Sequence, residues 1–483
     1  MQQDMELQQV LYRLFKTQIE FGAHRHGEPL PTIREASEYF RVSVDTVRLV
    51  YLRLKQEGYI SLSTCVGARV KVNYSKEEIR QNIQHFFAGR KETLLDLAQA
   101  LRPLCRFAQW FALKNSSEKT LDELERSCAA LHLSPVYRML QQLELIYSPL
   151  GNELFMRLMR QIFLFFQGPF LSTPQNIEYF RHKNPLLEMI RLCRQKDWPA
   201  LWDAVDAYQT QLIKFLKQFY SENIRDQPQA EPVAFSWSIY KKTSQICYSL
   251  CLDLLLAMRD GAYPQGSLLP PPAKLAEEKQ IALNTVRRTY GLLGKLGAVR
   301  SINGVGTMVL PLQQNTANSD LADPQLQKRL LEFAQGCQFL AFSCRACVQA
   351  TLAGMEPASV AKWIERFEAV ERGGVYKNLL YTCYAFVAAF APYRAVRTVY
   401  AQLLRMLFWG LPLRELHGGR EAANAYFSPY LHTLKGCLHR SDWETFAETL
   451  EELQIAETRF IVEYLAERGL EEASAIRIPF RAP

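Results

Sequence analysis

Hydrophobic positions along this chain recur at three- and four-residue intervals over most of its length. From Ser75 to Asn223, and again from Leu321 to about Glu467, β-branched alternation and hairpin signals are nearly absent, and Leu, Phe, Arg, Glu and Gln fall at helical spacing. Thr93 to Leu113, Glu153 to Phe166 and Trp198 to Tyr220 read as helices in the first stretch. Asp323 to Ala353, Ala358 to Glu371, Val396 to Phe408 and Asp442 to Glu467 do so in the second. Ser148-Pro149-Leu150-Gly151 and Gly373-Gly374 break the pattern as loops do between helices of an antiparallel bundle. The longest apolar stretch, Asn378 to Tyr393, falls short of the roughly 20 residues a membrane-spanning helix needs, so it reads as a buried bundle helix.

The segments ahead of the two helical stretches repeat one another. LPTIREASEYFRVSVDTVRLVYLRLKQEG, Leu30 to Gly58, aligns without a gap with LPPPAKLAEEKQIALNTVRRTYGLLGKLG, Leu269 to Gly297. The match reaches back to Gly22-Ala23 with Gly261-Ala262 and forward to Val66-Gly67 with Val305-Gly306, which is the signature of an internal duplication. Pro31 opens a short helix over Thr32 to Phe40, and Ser43 is a good N-cap for a second one. In that second helix Val44, Val47, Tyr51 and Leu54 share a core face, leaving Asp45, Thr46, Arg48 and Leu49 toward the outside. Gly58 stops it. Tyr59 to Ser63 and Ala68 to Val72 then flank Thr64-Cys65-Val66-Gly67 as a two-stranded wing, and Ala298 to Ile302 and Thr307 to Leu310 do the same around Asn303-Gly304-Val305-Gly306. This order describes a winged helix-turn-helix, whose second helix presents its N-terminal end to the major groove. The helical stretches also share traces of duplication: Asn184-Pro185-Leu186-Leu187 leading to Asp197-Trp198 parallels Ser428-Pro429-Tyr430-Leu431 leading to Asp442-Trp443.

The first copy resembles the N-terminal domain of GntR-family bacterial transcription regulators through Gly22, Gly27, Leu30-Pro31-Thr32, Arg34, Val42-Ser43, Thr46-Val47-Arg48, Gly58 and Gly67. The resemblance implies that Arg34, Ser43, Thr46, Arg48 and the wing around Gly67 contact DNA, and Thr32, Asp45 and Arg69 stand beside them on the same elements. In the second copy the candidates are Lys274, Asn284, Thr285, Arg287, Arg288, Gly304 and Gly306, with Ala273 and Ala282 where Arg34 and Ser43 should recur. The expected fold is mainly α: two winged helix-turn-helix domains, each followed by an all-α bundle. The boundaries are 1–74, a bundle over 75–225, a linker over 226–235, a second reader over 236–312 and a second bundle over 313–483.

The formal charge of +8 on 483 residues suits a polyanionic partner without demanding one, and 48% hydrophobic content is enough for several cores. The 11 cysteines have no regular framework and read as reduced, buried thiols of a cytoplasmic protein; Cys344-Arg345-Ala346-Cys347 lacks the second pair a metal site needs. The N-terminus has neither the basic region nor the apolar run of a signal peptide. In one branch of the resembled family the bundle binds a metal through an Asp and three His. Here His85, His132 and His182 fall elsewhere, and Leu143 and Tyr208 occupy positions where that pattern wants ligands. No nucleotide-binding, protease or hydrolase motif is present. The expectation is therefore not an enzyme and no cofactor. It is a sequence-specific regulator of double-stranded DNA, responsive to a small-molecule effector in its bundles, acting without a membrane as a pseudo-dimer within one chain or as a homodimer. The alternative is an architectural or scaffold protein whose winged helices contact protein.

Overall fold

The computed structural model describes residues 2–40, 42–63, 67–130, 134–177, 185–225, 232–237, 246–311, 323–413 and 416–481. Thr64-Cys65-Val66, the linker residues 226–231, residues 313–322, and His132 and His182 lie outside the described residues. The chain divides into two compact units, residues 1–235 and 236–482.

The first unit opens with α1 (Gln2–Glu20), α2 (Ile33–Phe40) and α3 (Val44–Gln56), followed by an antiparallel hairpin of β1 (Ile60–Ser63) and β2 (Gly67–Val70). Local chemistry sets the two short helices. Thr32 Oγ1 accepts from the Glu35 amide at 3.1 Å while Glu35 Oε2 accepts from the Thr32 amide at 2.8 Å, a reciprocal cap that also holds the Glu35 carboxyl below its ordinary range. Ser43 Oγ accepts from the Thr46 amide at 3.1 Å and starts α3. Gly58, at φ 83°, takes the left-handed conformation that ends it. The core stripe of α3 is Val47, Val50, Tyr51 and Leu54, all fully buried. Val44, expected on that stripe, is instead 43% exposed, because it sits in the first turn, beyond the reach of the core that covers the later turns.

The first bundle comprises α4 (Lys76–Ala88), α5 (Lys91–Lys114), α6 (Glu118–Ala129), α7 (Pro135–Tyr147), α8 (Glu153–Ile162), α9 (Gly168–Leu171), α10 (Leu186–Gln195) and α11 (Trp198–Asn223). Helices α5 and α11 pack antiparallel: Trp110 Nε1 donates to the Trp198 carbonyl at 2.9 Å and Arg106 pairs with Asp206 at 2.6 Å, while further along α11 Tyr220 Oη donates to the Phe87 carbonyl of α4 at 3.1 Å. The helix expected over Glu153 to Phe166 runs regularly only to Ile162 and then widens into a π turn over 163–167. Pro169 follows; having no N–H to give to the Phe165 carbonyl, it removes one α-helical bond there.

The second unit contains α12 (Ile246–Arg259), α13 (Pro272–Lys279), α14 (Leu283–Lys295) and a hairpin of β3 (Val299–Ile302) and β4 (Gly306–Val309). These lead to α15 (Pro324–Ala353), α16 (Pro357–Gly373), α17 (Leu379–Phe390), α18 (Arg394–Met406), α19 (Arg420–Arg440) and α20 (Trp443–Glu467). Asp323 and Asp442, expected as first residues of helices, are their N-caps. The core is centred on α15 and α20, where Gln454 Nε2 and Thr458 Oγ1 both donate to the Cys337 carbonyl at 3.1 and 3.2 Å. The apolar stretch Asn378 to Tyr393 is helical only to Phe390, since Pro392 disfavours helical backbone at Ala391. It buries one face, through Leu379, Cys383, Tyr384, Phe386 and Val387, and leaves Phe390 40% exposed, so it is not the fully buried helix its composition suggested. The ten described cysteines are buried thiols, and burial pushes Cys347 up to about 12. Among the described residues no helix is long and apolar enough to cross a membrane.

Candidate nucleic-acid interface

Helix α3 is held from behind by its buried stripe and by a polar lock: Tyr51 Oη donates to the Pro31 carbonyl at 2.6 Å, and burial raises the phenol well above its ordinary value. The segment before α2 is tied to the hairpin. The Gly27 amide donates to the Val70 carbonyl at 2.9 Å, the Val70 amide to the Glu28 carbonyl at 3.0 Å and the Leu30 amide to the Ala68 carbonyl at 3.0 Å, so this segment runs along β2 and is joined to it by an antiparallel bridge between Pro29 and Arg69. The result is a rigid support for one exposed helix end and one hairpin.

That end presents Asp45, Arg48 and Leu49, with Arg34 on α2. Arg48 is 54% exposed and pairs with Asp45, and Arg34 is 88% exposed and reaches Glu38 at 3.3 Å. Both guanidiniums thus rest on neighbouring carboxylates. Thr32 and Ser43 are exposed at the two helix starts, but each spends its hydroxyl on capping. Thr46 does not face outward as expected: it is 3% exposed, and its Oγ1 lies 2.8 Å from Ser43 Oγ, because the N-cap draws that hydroxyl inward. On the hairpin, Gly67 sits at φ 77° and exposed Arg69 donates to the Gly27 carbonyl at 2.7 Å.

The same geometry recurs around α14. Tyr290 Oη donates to the Pro270 carbonyl at 2.7 Å, the Gly266 amide to the Val309 carbonyl at 2.9 Å and the Leu269 amide to the Thr307 carbonyl at 2.8 Å, each the counterpart of a bond in the first unit. Gly304 and Gly306 have φ of 75° and 136°. Asn284, Arg287 and Arg288 are exposed and Thr285 is half-buried, while Lys274 lies 4.0 Å from Glu278. Two differences matter. Ala282 gives α14 no side-chain cap, and no acid stands in its first turn, where α3 has Asp45.

Sequence reasoning missed a junction behind the first of these faces. On α7, Tyr137 is wedged against Phe15 and Phe40 with ring centroids 5.9 and 5.1 Å away, and its Oη lies 2.8 Å from His24 Nε2. Burial pushes that histidine down to about 4, against the weaker pull of Glu28. Neighbouring α7 residues Arg138, Met139 and Gln142 line a cavity of about 80 Å³ inside the bundle. Gln167 and Gln209 complete its polar wall, and each has a buried side-chain oxygen with no hydrogen-bond partner among the described residues. Leu143 and Tyr208 line the same cavity, so the positions noted for missing histidines do converge. No local pattern marks this set, because helical segments far apart in the sequence supply it.

Residues 7–70 match the family described as bacterial regulatory proteins, gntR family, and this segment is a GntR-family DNA-binding domain. No curated protein sequence matches the chain. Among solved structures, the GntR protein of Streptococcus agalactiae is 12% identical, with 44% of this chain and 99% of that one covered at a TM-score of 0.20. A GntR-family transcriptional regulator from Pseudomonas syringae pv. tomato is 15% identical over 47% of this chain and 88% of its own, at a TM-score of 0.21. E. coli McbR/YncC is 18% identical over 44% and 98%, at 0.20. Such low TM-scores add nothing to what the helix and hairpin geometry carries.

Proposed function

We propose that this chain is a sequence-specific transcription regulator that inserts the N-terminal end of α3 into the major groove and lays its hairpin beside it. The observation that carries the reading is the division of α3 into a locked, buried face and an exposed end bearing Asp45, Arg48 and Leu49, with Arg34 alongside. Arg48 can hydrogen-bond guanine and Leu49 can meet a thymine methyl, whereas Ser43 and Thr32 hold the helices in place. The matching hydrogen bonds around α14 support a second winged helix over 236–312, with the bundles at 75–225 and 313–483 as its companions. The orphan oxygens of Gln167 and Gln209 favour a small effector with hydrogen-bond donors in the first bundle, felt by the reader through Tyr137. Exposed Val44, Leu49 and Leu52 on α3 also fit a protein-contact module. Selection of double-stranded DNA by the purified full chain, followed by anisotropy titration at several salt concentrations, separates the two. Sequence-selective binding that weakens with salt supports the regulator; binding equal on all sequences, or none, overturns it.

A further inference from the structure

In the first unit the end of α1 is covered. Asn82 of α4 donates to the Glu20 carbonyl at 3.0 Å, and Phe86 meets Phe21 with centroids 5.5 Å apart. The second unit is built differently at the matching place. Arg259, aligned with Glu20, opens onto a cleft of about 1130 Å³ that reaches from the end of α12 and Leu310, just after β4, deep among the helices α15 to α20. Its lining is markedly one-signed. Arg259, Arg366, Lys377 and Arg420 face it, and the single carboxylate among the described lining residues, Glu457, is engaged by His417 at 2.9 Å. Arg259 is braced by Asp260 at 2.7 Å and by the Tyr381 hydroxyl, and Arg420 by the Gly374 carbonyl at 2.8 Å, so both guanidiniums are held in place before any ligand arrives. Arg366 is exposed on α16 at the mouth. The remaining wall is mixed: Phe333, Tyr381 and Phe408 supply aromatic surface, Leu380, Leu413 and Ile461 aliphatic surface, and Gln265, Asn378 and Gln454 polar groups.

We propose that this cleft binds an organic anion, a phosphate or carboxylate joined to a planar or apolar body, with the acidic group at the arginines and the body against the aromatic rings. At about 1130 Å³ the cleft lies just above the roughly 300–1,000 Å³ of common small-molecule sites, so it has room for an organic ligand. Preorganised arginines recognise carboxylate and phosphate by paired hydrogen bonds, and the rings of Phe333, Tyr381 and Phe408 offer burial energy to a flat body. Because the walls come both from the helix and hairpin region and from the bundle, an occupant would brace one against the other. This assignment stands apart from the DNA-reading proposal, since it is tested without DNA.

Calorimetric titration of the full chain with AMP, 2-naphthoate, inorganic phosphate and benzamide tests it. AMP or 2-naphthoate should bind saturably at one site per chain, and which of them binds tells phosphate from carboxylate recognition. Benzamide, flat but uncharged, should bind far more weakly, as should phosphate alone. Arg366→Glu, which reverses a charge at the mouth, and Ala369→Trp, which fills the exposed entrance from α16, should each weaken binding by about tenfold or more with the thermal melting of the chain unchanged. Absence of binding by both organic anions at millimolar concentration, or binding equally tight in the two variants, overturns the proposal.

Discussion

Arg48 and Asp45 show how much one residue pair can decide. The ion pair between them is exposed and worth little by itself, but it occupies the guanidinium that the proposed base recognition would use. Arg48→Ala should cost roughly 1–3 kcal/mol in binding to the preferred site and relax the base preference beneath it. Asp45→Asn should tighten binding to all sequences, by freeing Arg48 and removing a negative charge that would face the phosphates in the proposed complex, and should steepen the salt dependence; anisotropy titrations of both variants check the two directions. His24 acts differently, because it is half-buried against Tyr137. Its imidazole is pushed down from 6.5 to about 4, so between those pH values the unfolded chain binds a proton that the folded one refuses. The stability this contributes is fully present above 6.5 and is lost progressively as pH falls toward about 4. Urea unfolding of the wild type should therefore weaken over that window, and His24→Phe should flatten the slope.

At the scale of elements, the two helix and hairpin motifs differ at their caps more than in their cores. Ser43 caps α3, whereas Ala282 leaves the start of α14 without a side-chain acceptor. Ala282→Ser should stabilise the second motif by about 1 kcal/mol, read as a raised unfolding midpoint of that unit. Helix ends impose the opposite demand. Gly58 holds φ 83° with nothing within 4 Å of where a Cβ would stand, so Gly58→Ala costs backbone energy alone, about 1–2 kcal/mol. Helix α7 links reader and bundle. Tyr137→Ala would empty a site enclosed by Phe15 and Phe40, at a cost of roughly 3–5 kcal/mol, and under the proposed coupling it should also detach DNA affinity from any effector response.

At the scale of the whole molecule, the proposed duplication means one chain carries two readers that differ where they would touch bases. Arg34 stands against Ala273, Ser43 against Ala282 and Asp45 against Asn284. A regulator made of two identical chains matches a palindrome by symmetry, whereas a single chain with unlike readers has no such symmetry to match. The preferred operator should consist of two unlike half-sites about one helical turn or a multiple of it apart. Covalent linkage also makes the second contact intramolecular, so a weak second reader still adds affinity. Site selection combined with sedimentation of the protein–DNA complex checks this: one chain on an asymmetric site is expected, and two chains on a perfect palindrome would exclude it.

What the chain determined by itself was whatever depends on near neighbours. Helical spacing, the caps at Ser43 and Thr32, the stop at Gly58 and the gapless repeat are all local, and each places an element or a turn without reference to distant residues. The first reader was legible on these grounds down to its core stripe, apart from Val44 at one end and the inward turn of Thr46. Tertiary structure decided the rest, because it depends on which faces meet. The π turn before Pro169, the half-exposed α17, the wedge of Tyr137 among Phe15, Phe40 and His24, and the cavity walled by Gln167 and Gln209 draw on residues far apart in sequence. So does the cationic cleft of the second unit, whose arginines come from α12, α16 and α19. No window of sequence holds those side chains together; only packing does.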